Sequence, residues 1–250
     1  MKNIQKIKIN PFTYLIVLLM LFSGYKTILM KILLIFTVHE IGHFFFCRIF
    51  NIKINKITIY PFGGLITLDS KINKPIYKDF FIAIGGILFQ VLLEIINMLF
   101  IKSNDISYYN ILILQLNILP IIPMDGSKIL FSIFNRFISY YKSLIIYEIT
   151  SLIFLIFLVV YTLFNSTINI ALISYLLVGI ISDIKLISYR MKSFFLERHI
   201  NNLSFKRKKY FKKNNIYLLK REEQGFFLIN TWKNEKYLLS KKFDISTYFW

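Results

Sequence analysis

Two histidines and a glutamate within five residues, His39-Glu40-Ile41-Gly42-His43, carry the first chemistry legible in this chain of 250 residues. Residues four apart fall on one face of a helix, so His39 and His43 present their imidazoles side by side. Imidazoles so paired suit two ligands of a tetrahedral zinc. Glu40 lies about 100° round the helix from His39, where it reaches a water rather than the metal. This is the arrangement of metal-assisted peptide hydrolysis with glutamate as general base. The bland alternative is two buried histidines and a glutamate that pack or cap. The surroundings weigh against it, because residues 27–46 are otherwise largely Ile, Leu, Phe, Met and Val. Each ionisable group at bilayer depth costs about 2.5–3.5 kcal/mol on insertion scales. Three in five residues demand a compensating partner, and a metal ion is one.

A second constellation follows at Asn117, Pro120, Pro123, Asp125 and Gly126. Two prolines three apart break a regular helix, and broken backbone at membrane depth is tolerated only where protein or a water-filled cavity satisfies it. Asp125, just past the break, is placed to be a third ligand, which leaves the fourth position of a catalytic zinc for water. Gly126 is expected to permit the tight turn that aims Asp125 inward. Asn117 is a candidate donor to an oxyanion or to substrate backbone; equally, it satisfies carbonyls freed by Pro120. Cys47, the one cysteine, excludes an internal disulfide and is read as buried filler, with a ligand role conceivable four residues beyond His43.

The elements that must position these groups are membrane helices. The chain is 56% hydrophobic with a positive mean hydropathy, and the periodicity predicts six spans, at about residues 11–25, 27–46, 80–101, 108–123, 144–164 and 168–184. Between the second and third, residues 57–60 and 65–68 alternate around Pro61-Phe62-Gly63-Gly64 and read as a β-hairpin. Its exposed edge, with Gly63 and Gly64, is a candidate site where an unwound substrate adds as a strand; an ordinary loop hairpin is the other reading. Gln90 and Glu94 share one face of the third span, as structural bonds or cavity lining, and Gly85-Gly86 permits close backbone approach there. Glu148 is read as interfacial. The expected organisation is an all-α polytopic membrane protein, with a membrane domain over residues 1–187 and a short basic cytoplasmic tail over 188–250.

Thirty-one Lys and Arg against thirteen Asp and Glu could signal nucleic acid, but no nucleic-acid motif is present. The excess instead collects on one side of the expected spans, at Lys2, Lys6 and Lys8, in the hairpin region, and in the run Lys206-Arg207-Lys208-Lys209. That asymmetry places both termini in the cytoplasm, with the basic tail meeting anionic lipid headgroups.

With both constellations in view, the chain resembles the site-2 proteases, the family of intramembrane zinc metalloproteases. The resemblance runs over roughly residues 30–135 and is closest to the family's stage IV sporulation (FB) group. Pro61-Phe62-Gly63-Gly64, the 117–126 stretch and Phe195-Leu196-Glu197-Arg198 carry that finer likeness. It implies His39, His43 and Asp125 as ligands of one Zn2+ per chain and Glu40 as base. It further implies a membrane-associated sigma-factor precursor as substrate, inhibitory membrane proteins as partners, and the outer forespore membrane as location. The family's third core region usually carries Gly-Pro and a polar residue; here Gly85-Gly86-Ile87-Leu88-Phe89-Gln90 departs from it, with Gln90 in the polar place. The sporulation group ends in a nucleotide-sensing CBS domain, and the tail is too short for more than a reduced remnant. Two rivals stand beside this reading: a housekeeping site-2 protease trimming anti-sigma factors or signal-peptide remnants, and a metal-binding transporter or inactive scaffold.

Overall fold

The computed structural model describes residues 4–60, 63–68, 72–164, 170–201, 203, 205–229 and 231–246. In chain order the elements are β1 (Ile4–Ile9), α1 (Pro11–Phe22), α2 (Lys26–Ile49), β2 (Ile54–Tyr60), β3 (Gly63–Leu68), α3 (Ile76–Ile96), a π-helical turn (Asn97–Ile101), α4 (Asn104–Ile118), α5 (Asp125–Phe137), α6 (Tyr140–Phe164), α7 (Ile170–Ile200), β4 (Arg207–Phe211), a 3-10 turn (Ile216–Leu218), β5 (Glu223–Leu228), β6 (Trp232–Asn234) and α8 (Glu235–Ser246). Among the described residues four stretches are long and apolar enough to cross a membrane: Lys26–Ile49, Ile76–Ile101, Tyr140–Phe164 and Ile170–Ile200. A span needs about 20 residues. The first and fourth expected spans are helices of only 12 and 15 residues, so the count of six is not reached on length. Large apolar side chains lie open along the long helices, Phe100 at 77% and Phe164 at 85% exposure, as lipid-facing groups do.

The chain divides into two compact units. The first comprises residues 1–70, 81–119 and 124–126. In it α2, α3 and α4 pack through Ile35, Leu93 and Ile113, and a sheet of order β1-β2-β3 lies beside them in sequence. The hairpin forms as expected, β2 antiparallel to β3, although Pro61 and Phe62 at its tip lie outside the described residues. Unforeseen is β1, which pairs parallel to β2 from Ile4–Ile54 to Ile9–Ile59. Cys47 is buried against Ile54 and Ile82 as core filler. At the far end of α3 the Asn97 side chain accepts from Ser103 N and donates to Ser103 O. Those bonds satisfy the backbone where the π turn stops at Lys102, in the left-handed region at φ 53.

The second unit comprises residues 71–80, 120–123 and 127–250. Its core joins the start of α6 and the latter part of α7 to the C-terminal residues: Tyr140, Leu144, Met191, Phe194 and Phe195 pack with Leu219, Phe227 and Leu239. The residues after α7 carry their own sheet, β4 parallel to β5 and β5 antiparallel to β6. Arg198 ties this sheet down from α7. Its fully buried guanidinium donates to both oxygens of Glu235, at 3.1 and 2.9 Å, and to the Lys220 carbonyl at 2.9 Å. Glu148, expected at an interface, is only 5% exposed.

Candidate metal centre

Local rules place each group of the site. His39 and His43 fall on one face of α2, their rings edge to face with centroids 4.7 Å apart. Against that face runs a stripe of α3 at four-residue spacing, Ile82, Gly86 and Gln90. Gly42 and Gly85 let the two backbones touch, since a Cβ at Gly85 would stand 2.6 Å from the Gly42 carbonyl oxygen. The third group arrives where α4 ends. Leu119, preceding Pro120, adopts φ −58 and ψ 134, the extended conformation proline imposes on its predecessor. Helix resumes at Asp125, where a carboxylate in the first turn is favoured by the helix dipole. Gly126 serves here by its size rather than by a special turn: a Cβ there would meet the Ile118 and Leu119 carbonyl oxygens.

These elements bring the three groups together. His39 Nε2, His43 Nε2 and Asp125 Oδ2 form a triangle 3.0 Å on each side. All three residues are buried, at 4%, 7% and 3% exposure, and among the described residues they are the one group of His, Cys, Asp and Glu able to hold a metal. Three ligand atoms of a tetrahedral zinc, at bonds of about 2.0–2.1 Å, lie about 3.4 Å apart, so the triangle needs to open by only a few tenths of an ångström.

The hydrogen-bond pattern agrees with the distances. His43 Nδ1 faces the Ile82 carbonyl oxygen at 2.7 Å, which accepts only, so Nδ1 carries the proton. His39 Nδ1 faces Gln90 Oε1 at 2.9 Å. Both Nε2 lone pairs therefore converge with a carboxylate oxygen, an arrangement of acceptors that a cation stabilises. Two imidazole nitrogens and one carboxylate oxygen are the donor set of a catalytic zinc. The residues present fit the ion.

The remaining candidates distribute as follows. Glu40 is half-buried on α2, next to His39. Asn117, on the last turn of α4, is buried and donates through Nδ2 to Gln90 Oε1 at 3.4 Å. Gly63 and Gly64 lie in β3, which pairs only with β2 among the described residues. Glu94 accepts from the Ser107 hydroxyl and from Asn110 Nδ2, which is 2.8 Å away, and so clamps α3 to α4. Sequence reasoning missed the direct contact of Gln90 with His39 and the service of the Ile82 carbonyl. The shared face of Gln90 and Glu94 was the signal for the first; a main-chain group leaves none.

Residues 27–106 match the peptidase family M50. Stage IV sporulation protein FB of Bacillus subtilis (strain 168) is 32% identical over 148 residues, covering 56% of this chain and 51% of that protein. A zinc metalloprotease of Methanocaldococcus jannaschii is 31% identical over 116 residues, covering 42% of this chain and 33% of that protein. The chain thus spans about half of the one relative and a third of the other. Among solved structures, the site-2 protease from Methanocaldococcus jannaschii superposes with a TM-score of 0.56 at 24% identity, covering 73% of this chain and 92% of that one. The fold is therefore site-2-protease-like, and the sequence resemblance legible in the motifs is met again in the family model and in both relatives.

Proposed function

We propose, from the match of residues 27–106 to peptidase family M50 and the buried triangle of His39, His43 and Asp125, that this chain is an intramembrane zinc metalloendopeptidase. The triangle is the observation that carries the reading. His39, His43 and Asp125 hold the single Zn2+, which when bound supplies a Lewis acid that polarises a peptide carbonyl and acidifies water. Glu40 takes the proton from the attacking water and returns it to the leaving amine. Asn117 donates to substrate or to the developing oxyanion through its second amide proton. The edge of β3 at Gly63 and Gly64, which pairs with no second strand among the described residues, offers backbone groups to an extended substrate segment, which a helical peptide must become before its carbonyls are open to attack.

The resemblance to the sporulation group supports a finer reading. The substrate is a membrane-associated sigma-factor precursor, cleaved in or near its membrane segment in the outer forespore membrane and restrained by inhibitory membrane proteins. Co-expression of the chain with a tagged precursor tests both levels. Wild type cleaves it; Glu40→Gln retains zinc and leaves it intact. An active Glu40→Gln chain removes the catalytic assignment, whereas a zinc-loaded wild type that spares this precursor but cleaves another membrane peptide removes the sporulation substrate alone.

A further inference from the structure

We propose that Gln90 is a positioning residue: its carboxamide oxygen takes the Nδ1 proton of His39 and so holds that imidazole in the tautomer and orientation that presents Nε2 to the metal. The proposal rests on the metal-centre reading above and deepens it. Each neutral imidazole carries one proton, and the partner of one nitrogen decides which nitrogen is left as a ligand. For His43 the partner is main chain, the Ile82 carbonyl oxygen at 2.7 Å. For His39 it is the side chain of Gln90, at 2.9 Å. Asn117 Nδ2 approaches the same Gln90 oxygen at 3.4 Å, so the oxygen end of the amide, not its nitrogen end, faces the two donors. One turn earlier on α3, Gly86 lies flat against the His39 ring, where a Cβ would come within 2.7 Å of both ring nitrogens. Gly86 therefore sets the plane of the ring and Gln90 its proton.

A purely structural role does not account for the residue. Gln90 is wholly buried, and its Nε2 finds no acceptor among the described residues. A methionine of similar length fills the same space without stranding a polar group. What methionine cannot do is accept from His39 Nδ1 and Asn117 Nδ2, and of the two bonds the one to the imidazole is the shorter, 2.9 Å against 3.4 Å. Hydrogen-bond partners of metal-ligating histidines fix ring orientation and raise ligand basicity, and their loss typically weakens metal binding about 10–100-fold.

The test uses the full chain in detergent and measures zinc affinity by chelator competition, with the absorption spectrum of the Co2+-loaded protein beside it. Gln90→Met is expected to weaken zinc binding about 10–100-fold at unchanged oligomeric homogeneity. Gln90→Glu keeps an acceptor on Nδ1, so it restores binding to within about threefold of wild type and shifts the Co2+ absorption, because a carboxylate makes the imidazole a stronger donor. A folded Gln90→Met chain that binds zinc within about threefold of wild type overturns the proposal. Should Gln90→Met fail to fold, Gln90→Glu decides: an unchanged Co2+ spectrum overturns the proposal, and a shifted one supports it. Failure of the underlying reading looks different, since the wild-type chain would then bind no zinc or His39→Ala would bind it as well as wild type.

Discussion

Replacing Gly86 by alanine puts one methyl group against the flat of a metal-ligand ring. A Cβ at that position would stand 2.7 Å from both Nδ1 and Nε2 of His39, where ordinary contact begins at 3.4 Å. The ring's Cε1 is nearer still, at 2.4 Å, so the ring must retreat by about 1 Å, since atoms held inside contact distance repel steeply. Zinc tolerates changes of only about 0.2 Å in its ligand distances, so the displacement exceeds the tolerance several-fold. Helix α2 can drift back as a whole only by giving up the close Gly42–Gly85 backbone packing one residue away. The expected result is loss of zinc affinity on the order of 100-fold, about 2.7 kcal/mol, on top of an overpacking cost of about 1–3 kcal/mol to the fold. Chelator competition reads the first quantity. Thermal unfolding with and without saturating zinc separates the two, because ligand stabilisation shrinks with the logarithm of affinity. Gly225→Ala is the control: its Cβ would stand 2.3 Å from Leu219 Cδ2, a comparable steric insult against neither a ligand nor a neighbour of one in the chain, and zinc affinity should stay within about threefold of wild type. A folded Gly86→Ala chain with wild-type zinc affinity would refute the assignment of His39 as a ligand held by α3.

Three further outcomes are expected. Asp125→Asn keeps the shape of the third ligand but removes its charge, and should lower both zinc content, by metal analysis of the purified chain, and cleavage of the tagged precursor. Glu94→Leu takes the carboxylate acceptor from Ser107 and Asn110 on α4, leaving Asn110 its bond to the Gln90 carbonyl oxygen at 3.0 Å. The loss should cost about 1–3 kcal/mol of stability and lower the melting temperature. Arg198→Met leaves the Glu235 carboxylate buried at 3% exposure without its ion-pair partner, a loss of about 3–5 kcal/mol. Limited proteolysis should then release the C-terminal sheet by cutting just after α7, and the double change Arg198→Met with Glu235→Leu should recover much of the resistance.

What the sequence made legible follows from how local each signal is. His39 and His43 declare their shared helix face by spacing alone, and Pro120 and Pro123 announce the break that precedes Asp125. The hairpin was visible because its strands alternate and are adjacent in the chain. By contrast, β1 pairs with a strand about fifty residues away, and its alternating lysines resemble an ordinary basic flank. The run from Lys206 to Lys213 reads as a basic stretch for anionic lipid headgroups, yet residues 207–211 form a strand whose Phe211 stacks on Phe227 with ring centroids 5.2 Å apart. Burial of Phe227 comes from α6, α7 and α8 together, which no window of residues records. The count of six spans is not confirmed at α1 and α4 for a related reason: apolar composition continues past the point where the backbone turns, so helix length falls short of hydrophobic length.

The contact between α2 and α3 shows why the motif alone does not make a site. Inside a bilayer no hydrophobic force draws apolar helices together, so close packing and polar contacts must supply their association. Here the same residues supply both. The Gly42–Gly85 contact fixes the register, and in that register the steps of four on α2, His39 to His43, meet steps of four on α3 running the opposite way, from Gln90 and Gly86 to Ile82. A slip of one residue along α3 would turn its stripe by about 100° and shift it about 1.5 Å. Both Nδ1 acceptors would then leave their rings together. Two glycines thus determine whether two histidines are ligands or merely buried, and the packing that holds the helices is inseparable from the geometry that holds the metal.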